Sequence, residues 1–171
     1  MTTKIASGLE RAFATRGFAE PSVEDLRDAA GVSLRTLYKY APSRDAMVRL
    51  ALEHRHQRYL EHVFGDPTKS SKQGLNETLD RVAGWMRAEA SHGCLFHAAV
   101  ASAPDDAILR ELLERHKAEV SQMAVARAGS DLSISDLMVI VEGLTQAWSL
   151  TKDAALTSAK RLAQLAEMAP V

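Results

Sequence analysis

Hydrophobic residues recur every three or four positions along most of the chain, which is the spacing of one face of an α-helix. The first such segment runs from about Lys4 to Arg16, ends at Gly17, and has an apolar face formed by Ile5, Leu9, Ala12 and Phe13. Ala and Leu are abundant, and no segment forms a convincing β-strand. The pattern predicts an all-α protein of about nine helices.

The segment after this first helix contains closely spaced signals of helix boundaries. Ser22 is a favoured N-cap with Asp25 three residues later, and Gly31 follows the last turn, where a left-handed residue is commonly needed. Ser33 is placed to cap the next helix, so the connection is only about three residues long. Two short helices joined by so tight a turn predict a helix-turn-helix.

The second helix of this pair is the candidate recognition helix. Pro42 disfavours helical geometry at the residue before it, so this helix is predicted at about residues 33–40. A long fourth helix follows, and a cluster of Gly, Pro, Ser and Lys then predicts a loop at residues 65–74. Helical periodicity continues beyond the loop, and two apolar helices, predicted at residues 134–150 and 153–168, close the chain.

The composition is that of an ordinary soluble globular protein, with 171 residues, 46% hydrophobic and 25% charged. No stretch approaches the roughly 20 uncharged apolar residues of a membrane span, and no N-terminal apolar run is long enough for a signal peptide. The single cysteine, Cys94, cannot form an internal disulfide, so nothing requires an oxidising compartment. We expect a cytoplasmic protein with no membrane partner.

Charge is unevenly distributed, although the formal net charge of the chain is only −1. Residues 1–50 carry eight Lys/Arg and six Asp/Glu, whereas residues 51–171 carry thirteen and sixteen. No acidic residue lies between Asp28 and Asp45. The basic residues in that interval are Arg35, Lys39 and Arg44. A basic window without acids is what a phosphate-facing surface requires, and a chance fluctuation is the alternative.

The exposed sides of the recognition helix carry groups suited to DNA. Arg35 can form a bidentate contact with a guanine edge, and Thr36 can meet a base or a thymine methyl. Phosphate contacts, which fix register without reading sequence, suit Tyr38, Lys39, Arg44 and, at the start of the preceding helix, Ser22. Leu34 and Tyr40 are also left to solvent. The alternative is a helical hairpin with a solvated charged face.

Several motifs stand in an order and spacing that identify a family: Ala12-Phe13, Gly17-Phe18, "SVEDLRDAAGVSLRTLYKY" and "PSRDAM". Through them, the segment from about Ile5 to Ala51 resembles the DNA-binding domain of the tetracycline-repressor (TetR) family of bacterial transcription regulators. It covers a little over a quarter of the chain. By position, the resemblance implies DNA contacts by Ser22, Ser33, Thr36, Tyr38, Lys39 and Arg44.

The sequence departs from the family pattern at three positions. Ala41 stands where an aromatic residue is typical, which indicates looser packing between the recognition helix and the fourth helix. Arg44 replaces the common lysine. Leu34 takes a position that is usually polar or small, and it indicates an apolar base contact.

The resemblance also implies how the whole chain is organised. Residues 1–47 would form the DNA-binding domain and residues 48–171 a helical domain that binds an effector and dimerises through its last two helices. The expected protein is a homodimer, most simply a repressor, that leaves a near-palindromic double-stranded DNA operator when a small molecule binds. "GCLF" at residues 93–96 also resembles a stretch often seen in that second domain.

Candidate wall residues for an effector pocket are aromatic, methionine and polar residues of the C-terminal helices: Trp85, Met86, Phe96, His97, Met123, Met138, Glu142 and Trp148. A mostly apolar pocket with few polar groups indicates a hydrophobic or aromatic effector. The alternative is that these side chains fill the core, which is the commoner role of methionine at helical spacing.

The last two helices are apolar over more than one face, which predicts a dimer interface. Its candidate residues are Leu137, Val141, Leu144, Trp148, Leu156, Ala159, Leu162, Ala163 and Ala166. The small alanines would let helices approach closely across a two-fold axis. The alternative is complete burial of these residues within one subunit.

Other chemistry has little support. His92, Cys94 and His97 are too few for a closed zinc site, so we expect no metal and no cofactor; a redox role for Cys94 stays open, although no basic residue stands beside it in the sequence. Phosphate-loop, G-x-S-x-G and H-E-x-x-H motifs are absent, so no catalytic site is predicted. The rivals to a regulator are a helical ligand carrier and a protein–protein adaptor that retain the hairpin without binding DNA.

Overall fold

The structure, a computed structural model, describes residues 1–65, 74–90, 92–128 and 132–168. Within these ranges the backbone forms nine α-helices and no strand, which confirms the predicted all-α fold. The helices are α1 (Thr2–Arg16), α2 (Val23–Ala30), α3 (Leu34–Tyr40), α4 (Arg44–Phe64), α5 (Leu75–Glu89), α6 (Leu95–Ser102), α7 (Ala107–Ala128), α8 (Ile134–Thr151) and α9 (Asp153–Met168).

Local capping explains where several of these helices begin. α7 starts after Asp106, whose carboxylate accepts hydrogen bonds from the backbone N–H groups of Ile108 and Leu109 at 2.9 and 3.2 Å. Most of the loop predicted at residues 65–74 lies outside the described residues. None of the helices in the described ranges is long and apolar enough to cross a bilayer.

The chain divides into two compact units. One contains Met1–Arg58 and Leu95–Leu113, and the other contains Tyr59–Cys94 and Glu114–Val171. This division concerns packing and not function. The assignment of residues 1–47 to DNA binding and of residues 48–171 to effector binding and dimerisation therefore stays a prediction.

In the first unit, α1 and α2 approach very closely because Gly8 has no side chain. A Cβ built on Gly8 would lie 2.3 Å from the carbonyl oxygen of Ala29 and 2.5 Å from the Cα of Ala30. The fully buried side chains of this part of the unit are Ile5, Leu9, Phe13, Leu26, Leu37 and Met47. They come from α1 to α4, so the hydrophobic effect holds the three N-terminal helices and the start of α4 around one small core.

A buried carboxylate joins α1 to α4 in the same unit. Glu10 is 1% exposed, and its Oε1 accepts hydrogen bonds from Arg55 at 2.9 Å and from Arg58 at 2.8 Å. Its Oε2 lies 2.7 Å from Nδ1 of His54. A buried charge is tolerated only when it is paired and hydrogen-bonded, and Glu10 meets both conditions.

The second unit has a larger apolar core built by α5, α8 and α9 with parts of α4 and α7. Its buried side chains include Phe64, Leu79, Met86, Leu137, Leu144 and Trp148. Ser133 starts α8 with a capping box, in which its hydroxyl accepts from the N–H of Asp136 at 3.1 Å while the Asp136 carboxylate accepts from the N–H of Ser133 at 3.2 Å. The first four N–H groups of a helix have no partner within it, and here the cap satisfies that of Asp136 and fixes the start of α8.

Candidate nucleic-acid interface

The pair α2 and α3 forms the predicted helix-turn-helix, and local signals fix its geometry. Gly31 ends α2 in the left-handed region at φ 62°, where its N–H donates to the carbonyls of Arg27 and Asp28. Ser33 then caps α3, with its hydroxyl accepting from the N–H of Thr36 at 3.2 Å. The predicted recognition helix at about residues 33–40 thus corresponds to α3 and its cap.

The start of α2 carries the predicted capping box. The hydroxyl of Ser22 accepts from the N–H of Asp25 at 3.1 Å, and the Asp25 carboxylate accepts from the N–H and the hydroxyl of Ser22 at 2.8 and 2.7 Å. These bonds from Ser22, together with the Arg16 guanidinium 3.1 Å away, lower the pKa of Asp25 to about 2. The Ser22 hydroxyl is therefore already engaged, and a phosphate that approached it would meet a carboxylate. The predicted phosphate contact of Ser22 stays a prediction.

The exposed side of α3 brings together the basic and aromatic side chains predicted to meet DNA. Leu37 is fully buried and points α3 into the core, while Arg35, Tyr38, Lys39 and Tyr40 are exposed. Arg35 and Lys39 stand at i and i+4, on one face of the helix, where two like charges repel each other. Neither makes a hydrogen bond or ion pair with another residue in the described part of the chain, and the ammonium of Lys39 lies 5.9 Å from the ring centroid of Tyr40. Two adjacent unneutralised cations on one face are suited to an anionic partner.

The first turn of α3 is more constrained than its exposed face. The hydroxyls of Ser33 and Thr36 are hydrogen-bonded to each other at 2.9 Å, and Thr36 and Leu34 are half-buried. Ser33 also uses its hydroxyl as the helix cap. The hydroxyl pair could be shared with a base or phosphate only by rotating one of these groups, and the predicted contacts of Ser33, Leu34 and Thr36 stay predictions.

Arg44 is the predicted contact that the structure places in a different setting. Its guanidinium is half-buried and donates through Nη1 to the carbonyl of Pro21 at 2.8 Å and through Nη2 to the carbonyl of Phe18 at 2.6 Å. The guanidinium carbon also lies 5.9 Å from the centroid of the Phe13 ring. Two of its five donors are therefore committed to the protein itself.

Sequence reasoning missed Lys4 as a residue of this site. Its ammonium donates to the carbonyl of Gly31 at 2.8 Å, which brings a cation of α1 to the turn between α2 and α3. The two residues are 27 positions apart, so no local pattern links them. The acid-free basic window after Asp28 thus gains a further positive charge from α1.

The predicted effector residues are divided between the two compact units. Phe96 and His97 belong to the first unit, and the other six belong to the second. Trp85, Met86, Phe96 and Trp148 are buried, while His97, Met123, Met138 and Glu142 are half-buried. Their role in effector binding stays a prediction.

Polar groups of the second unit that were not predicted lie beside two of these candidates. The ammonium of Lys117 lies 2.6 Å from the carboxylate of Glu142 and 3.6 Å from the sulfur of Cys94. The rings of Trp85 and Tyr59 meet edge to face at 5.3 Å. Burial raises the pKa of Tyr59, whose phenol stays neutral. Cys94 thus has a basic neighbour in space that the sequence does not place next to it.

Most of the predicted dimer residues are used inside the subunit. Leu137, Val141, Leu144, Trp148, Ala159 and Ala163 are buried in the core of the second unit. Leu156 and Ala166 are partly buried against that core, and only Leu162, at 54% exposure, is open to solvent. The exposed apolar residues of α8 and α9 are instead Ile134, Val139, Leu150, Leu162, Leu165 and Met168.

Comparison with known proteins agrees with this geometry. Residues 5–51 match the sequence model of the family described as bacterial regulatory proteins, tetR family. No curated protein sequence matches the chain.

Solved structures resemble the whole chain in fold. A TetR-family transcriptional regulator from Streptomyces coelicolor superposes with a TM-score of 0.75 at 16% identity, covering 96% of this chain and 94% of that one. A TetR transcriptional regulator from Streptomyces avermitilis reaches 0.71 at 21% identity, covering 98% of both chains. Salmonella enterica GusR reaches 0.68 at 19% identity, covering 97% of this chain and 95% of its own.

Proposed function

We propose that the chain is a transcriptional regulator, a homodimeric repressor, because residues 5–51 match the family model of tetR bacterial regulatory proteins and the fold resembles that of solved TetR-family regulators. Each subunit would place α3 in the major groove at one half of a near-palindromic operator, with the two recognition helices about 34–36 Å apart. The observation that carries the proposal is the face of α3 on which Arg35 and Lys39 stand exposed and without an acidic partner among the described residues. The protein would be located in the cytoplasm.

The side chains of α3 divide into base-reading and phosphate-binding groups. Arg35 lies in the first turn of α3, the part of a recognition helix that meets base edges, and its fork matches the two acceptors of guanine. Lys39 and Tyr38 lie one turn further along and suit phosphates. Loss of a guanine contact would relax sequence preference, whereas loss of a phosphate contact would weaken all sequences alike.

Binding to duplex DNA at several salt concentrations tests the proposal. Operators would first be selected by the protein from random-sequence DNA, and an inverted repeat is expected. For Lys39→Ala we expect the magnitude of the negative slope of log K against log salt to decrease by about 0.9, because one phosphate contact is lost. For Arg35→Ala we expect a loss of about 1–3 kcal/mol that depends on the base at one operator position.

Arg110→Ala provides the matched control for these variants, because Arg110 is an exposed arginine of α7, outside the helix-turn-helix. It should bind with the affinity and salt slope of the unmodified protein. A protein that ignores every duplex at low ionic strength would exclude the regulator and leave a ligand carrier or an adaptor.

Dimerisation would use the side of α8 that faces away from its own core. Val139 is 71% exposed and Leu150 is 84% exposed, and they stand at helical spacing opposite to the buried positions Leu137 and Val141. On α9, Leu162 and Leu165 add exposed apolar surface. Exposed apolar residues grouped in this way mark interaction surfaces, and a second copy of the same hairpin would cover them.

Analytical ultracentrifugation measures the oligomeric state directly. Leu150→Glu should convert the dimer to a monomer, because it places a charge in the apolar centre of the interface. Ile108→Glu is the matched control, since Ile108 is a 47% exposed apolar residue of α7. A monomeric unmodified protein, or a dimer that tolerates Leu150→Glu, would refute this interface.

The effector would be small and hydrophobic or aromatic, as the composition of the second unit supports. Its core contains both tryptophans of the chain, Trp85 and Trp148, so tryptophan fluorescence reports on binding there. The fluorescent probe 8-anilinonaphthalene-1-sulfonate should quench this emission and lower operator affinity by the same coupling factor with which DNA lowers probe affinity. Quenching without any change in operator affinity would show that the probe binds the protein without releasing the operator, and it would contradict the proposed coupling.

A further inference from the structure

We infer that Arg44 is a positioning residue for DNA binding, which holds the turn between α1 and α2 against the start of α4 and does not contact phosphate. The inference rests on the proposed function, and it assigns to Arg44 a role different from the one that the family position implies. Its basis is the set of contacts made by the guanidinium, which all lie within the first compact unit.

The guanidinium connects two points of the segment between α1 and α2. Nη1 donates to the carbonyl of Pro21 at 2.8 Å, and Nη2 donates to the carbonyl of Phe18 at 2.6 Å. Both carbonyls belong to the segment between α1 and α2 and lie 23 and 26 positions from Arg44 in sequence. Planar donors in a fixed fork suit two such acceptors, and the rigid geometry fixes both ends of the turn at once.

Aromatic rings hold the other side of this contact. The rings of Phe13 and Phe18 stack at 5.0 Å, and the guanidinium carbon of Arg44 lies 5.9 Å from the Phe13 centroid. Phe13 is fully buried and Phe18 is 8% exposed, so the ring pair is part of the core. Arg44 therefore interacts with the core on one side and with the carbonyls of the turn on the other.

The surroundings of Arg44 also differ from those of a phosphate ligand. The side chain lines a cavity of about 220 Å³ together with Ser102 at the end of α6 and with Ala103 and Asp106 of the α6–α7 connection. A phosphate could use only the three remaining N–H groups, in the orientation that the two carbonyl bonds fix. Because both bonds to the carbonyls are charge-assisted, we expect the guanidinium to keep them when DNA binds.

The consequence for DNA binding lies at Ser22. The carbonyl of Pro21 immediately precedes Ser22, which caps α2. Arg44 thereby sets the position of the N-terminus of α2, the helix that lies across the DNA backbone when its partner helix enters the groove. Loss of the two hydrogen bonds from Arg44 would leave the recognition helix α3 intact. It would displace α2, the helix that positions α3 on the duplex.

Two substitutions distinguish a positioning residue from a phosphate ligand. Arg44→Lys keeps the charge and can still bind phosphate, but an ammonium cannot reproduce a fork to two carbonyls. We expect Arg44→Lys and Arg44→Ala each to raise the Kd for the selected operator duplex about tenfold, with the salt slope of the unmodified protein. The Kd is calculated on the folded fraction measured by circular dichroism, and Arg49→Lys on the same helix is the matched control.

Lys39→Ala serves as the reference for a true phosphate contact, because it should decrease the magnitude of the salt slope by about 0.9. A slope that falls in Arg44→Ala and returns in Arg44→Lys would overturn the inference. It would also be overturned by an unchanged Kd on the folded fraction in both variants, because Arg44 would then affect stability alone.

A measurement without DNA keeps the inference testable if the proposed function fails. Hydrogen exchange of a peptide covering residues 17–25 should become several-fold faster in Arg44→Lys, while a peptide from α3 exchanges as before. Unchanged exchange in residues 17–25 would overturn the inference even if the operator experiment agreed. If the unmodified protein selects no duplex while this exchange increases, the proposed function is wrong and Arg44 still holds the turn.

Discussion

Substitution of Gly8 by alanine places a methyl group where the structure has no room for it. The added Cβ would lie 2.3 Å from the carbonyl oxygen of Ala29 and 2.5 Å from the Cα of Ala30. Ordinary contacts of a Cβ begin at 3.4 Å, so α1 and α2 must separate by about 1 Å. Both atoms belong to the backbone of α2, so no side-chain rotation can relieve the overlap.

The magnitude follows from two opposing effects. Alanine is about 1 kcal/mol better than glycine inside a helix, which favours the variant. Overpacking of a well-packed core costs about 1–3 kcal/mol, and a gap of 0.5–1 Å already forfeits a quarter to a half of each lost van der Waals contact. Because the whole α1–α2 contact is affected, we expect a net loss of about 2 kcal/mol, which lowers Tm by about 4–8 °C in a protein of this size.

Thermal unfolding followed by far-ultraviolet circular dichroism measures this loss. Gly84→Ala is the matched control, because Gly84 lies inside α5 and its added Cβ would have its nearest neighbour, Nε2 of His62, at an ordinary 3.5 Å. The control should raise Tm slightly through helix propensity alone. If Gly8→Ala melts at or above the temperature of the unmodified protein, the close approach of α1 and α2 is wrong.

Three further outcomes follow from contacts in the first unit. Glu10→Gln should lower the free energy of unfolding in urea by about 3–5 kcal/mol, because the buried ion pair between Glu10 and Arg55 is broken; an unchanged urea midpoint would contradict this. Asp25 has a pKa of about 2, below its usual value near 3.8, so its stabilisation is present above about pH 4 and lost as pH falls towards 2. Asp25→Asn should therefore show a smaller drop in Tm between pH 4 and pH 2 than the unmodified protein, and an equal drop would contradict it. Gly31→Ala should lower Tm by several degrees, because φ 62° costs a residue with a Cβ about 1–2 kcal/mol; a wild-type Tm would contradict the left-handed turn.

Features set by neighbouring residues could be predicted from the sequence. Ser22 with Asp25 predicted a capping box, Gly31 predicted a left-handed turn and Ser33 predicted the cap of the next helix, and all three occur. Each depends on side chains and backbone groups within four positions of one another. The all-α fold could be predicted for the same reason, because helical periodicity is local.

Contacts between distant segments could not be predicted in this way. The bonds from Arg44 to the α1–α2 turn and from Lys4 to Gly31 join residues more than 20 positions apart, and neither has a local signature. The hydrogen-bond partners of Glu10 could not be predicted either, since nothing near Glu10 in the sequence indicates that it will be buried.

Periodicity also could not distinguish the inner face of α8 from its outer face. Leu137 and Val141 mark one apolar side and Val139 and Leu150 mark another, and the sequence does not say which one packs inside the subunit. Leu137 and Val141 were assigned to the dimer interface because the last two helices are apolar over more than one face. Only the packing of α8 against α5 and α9 shows that this pair is used in the core.

The carboxylate of Glu10 is bonded at residues 54, 55 and 58, a stretch longer than one turn of α4. Neither helix can slide or twist along the other without stranding a negative charge in an apolar interior. We therefore expect α1 and this part of α4 to move as one rigid body. In the proposed dimeric regulator, a change in the tilt of these two helices would change the separation of the two recognition helices and so their fit to successive turns of DNA.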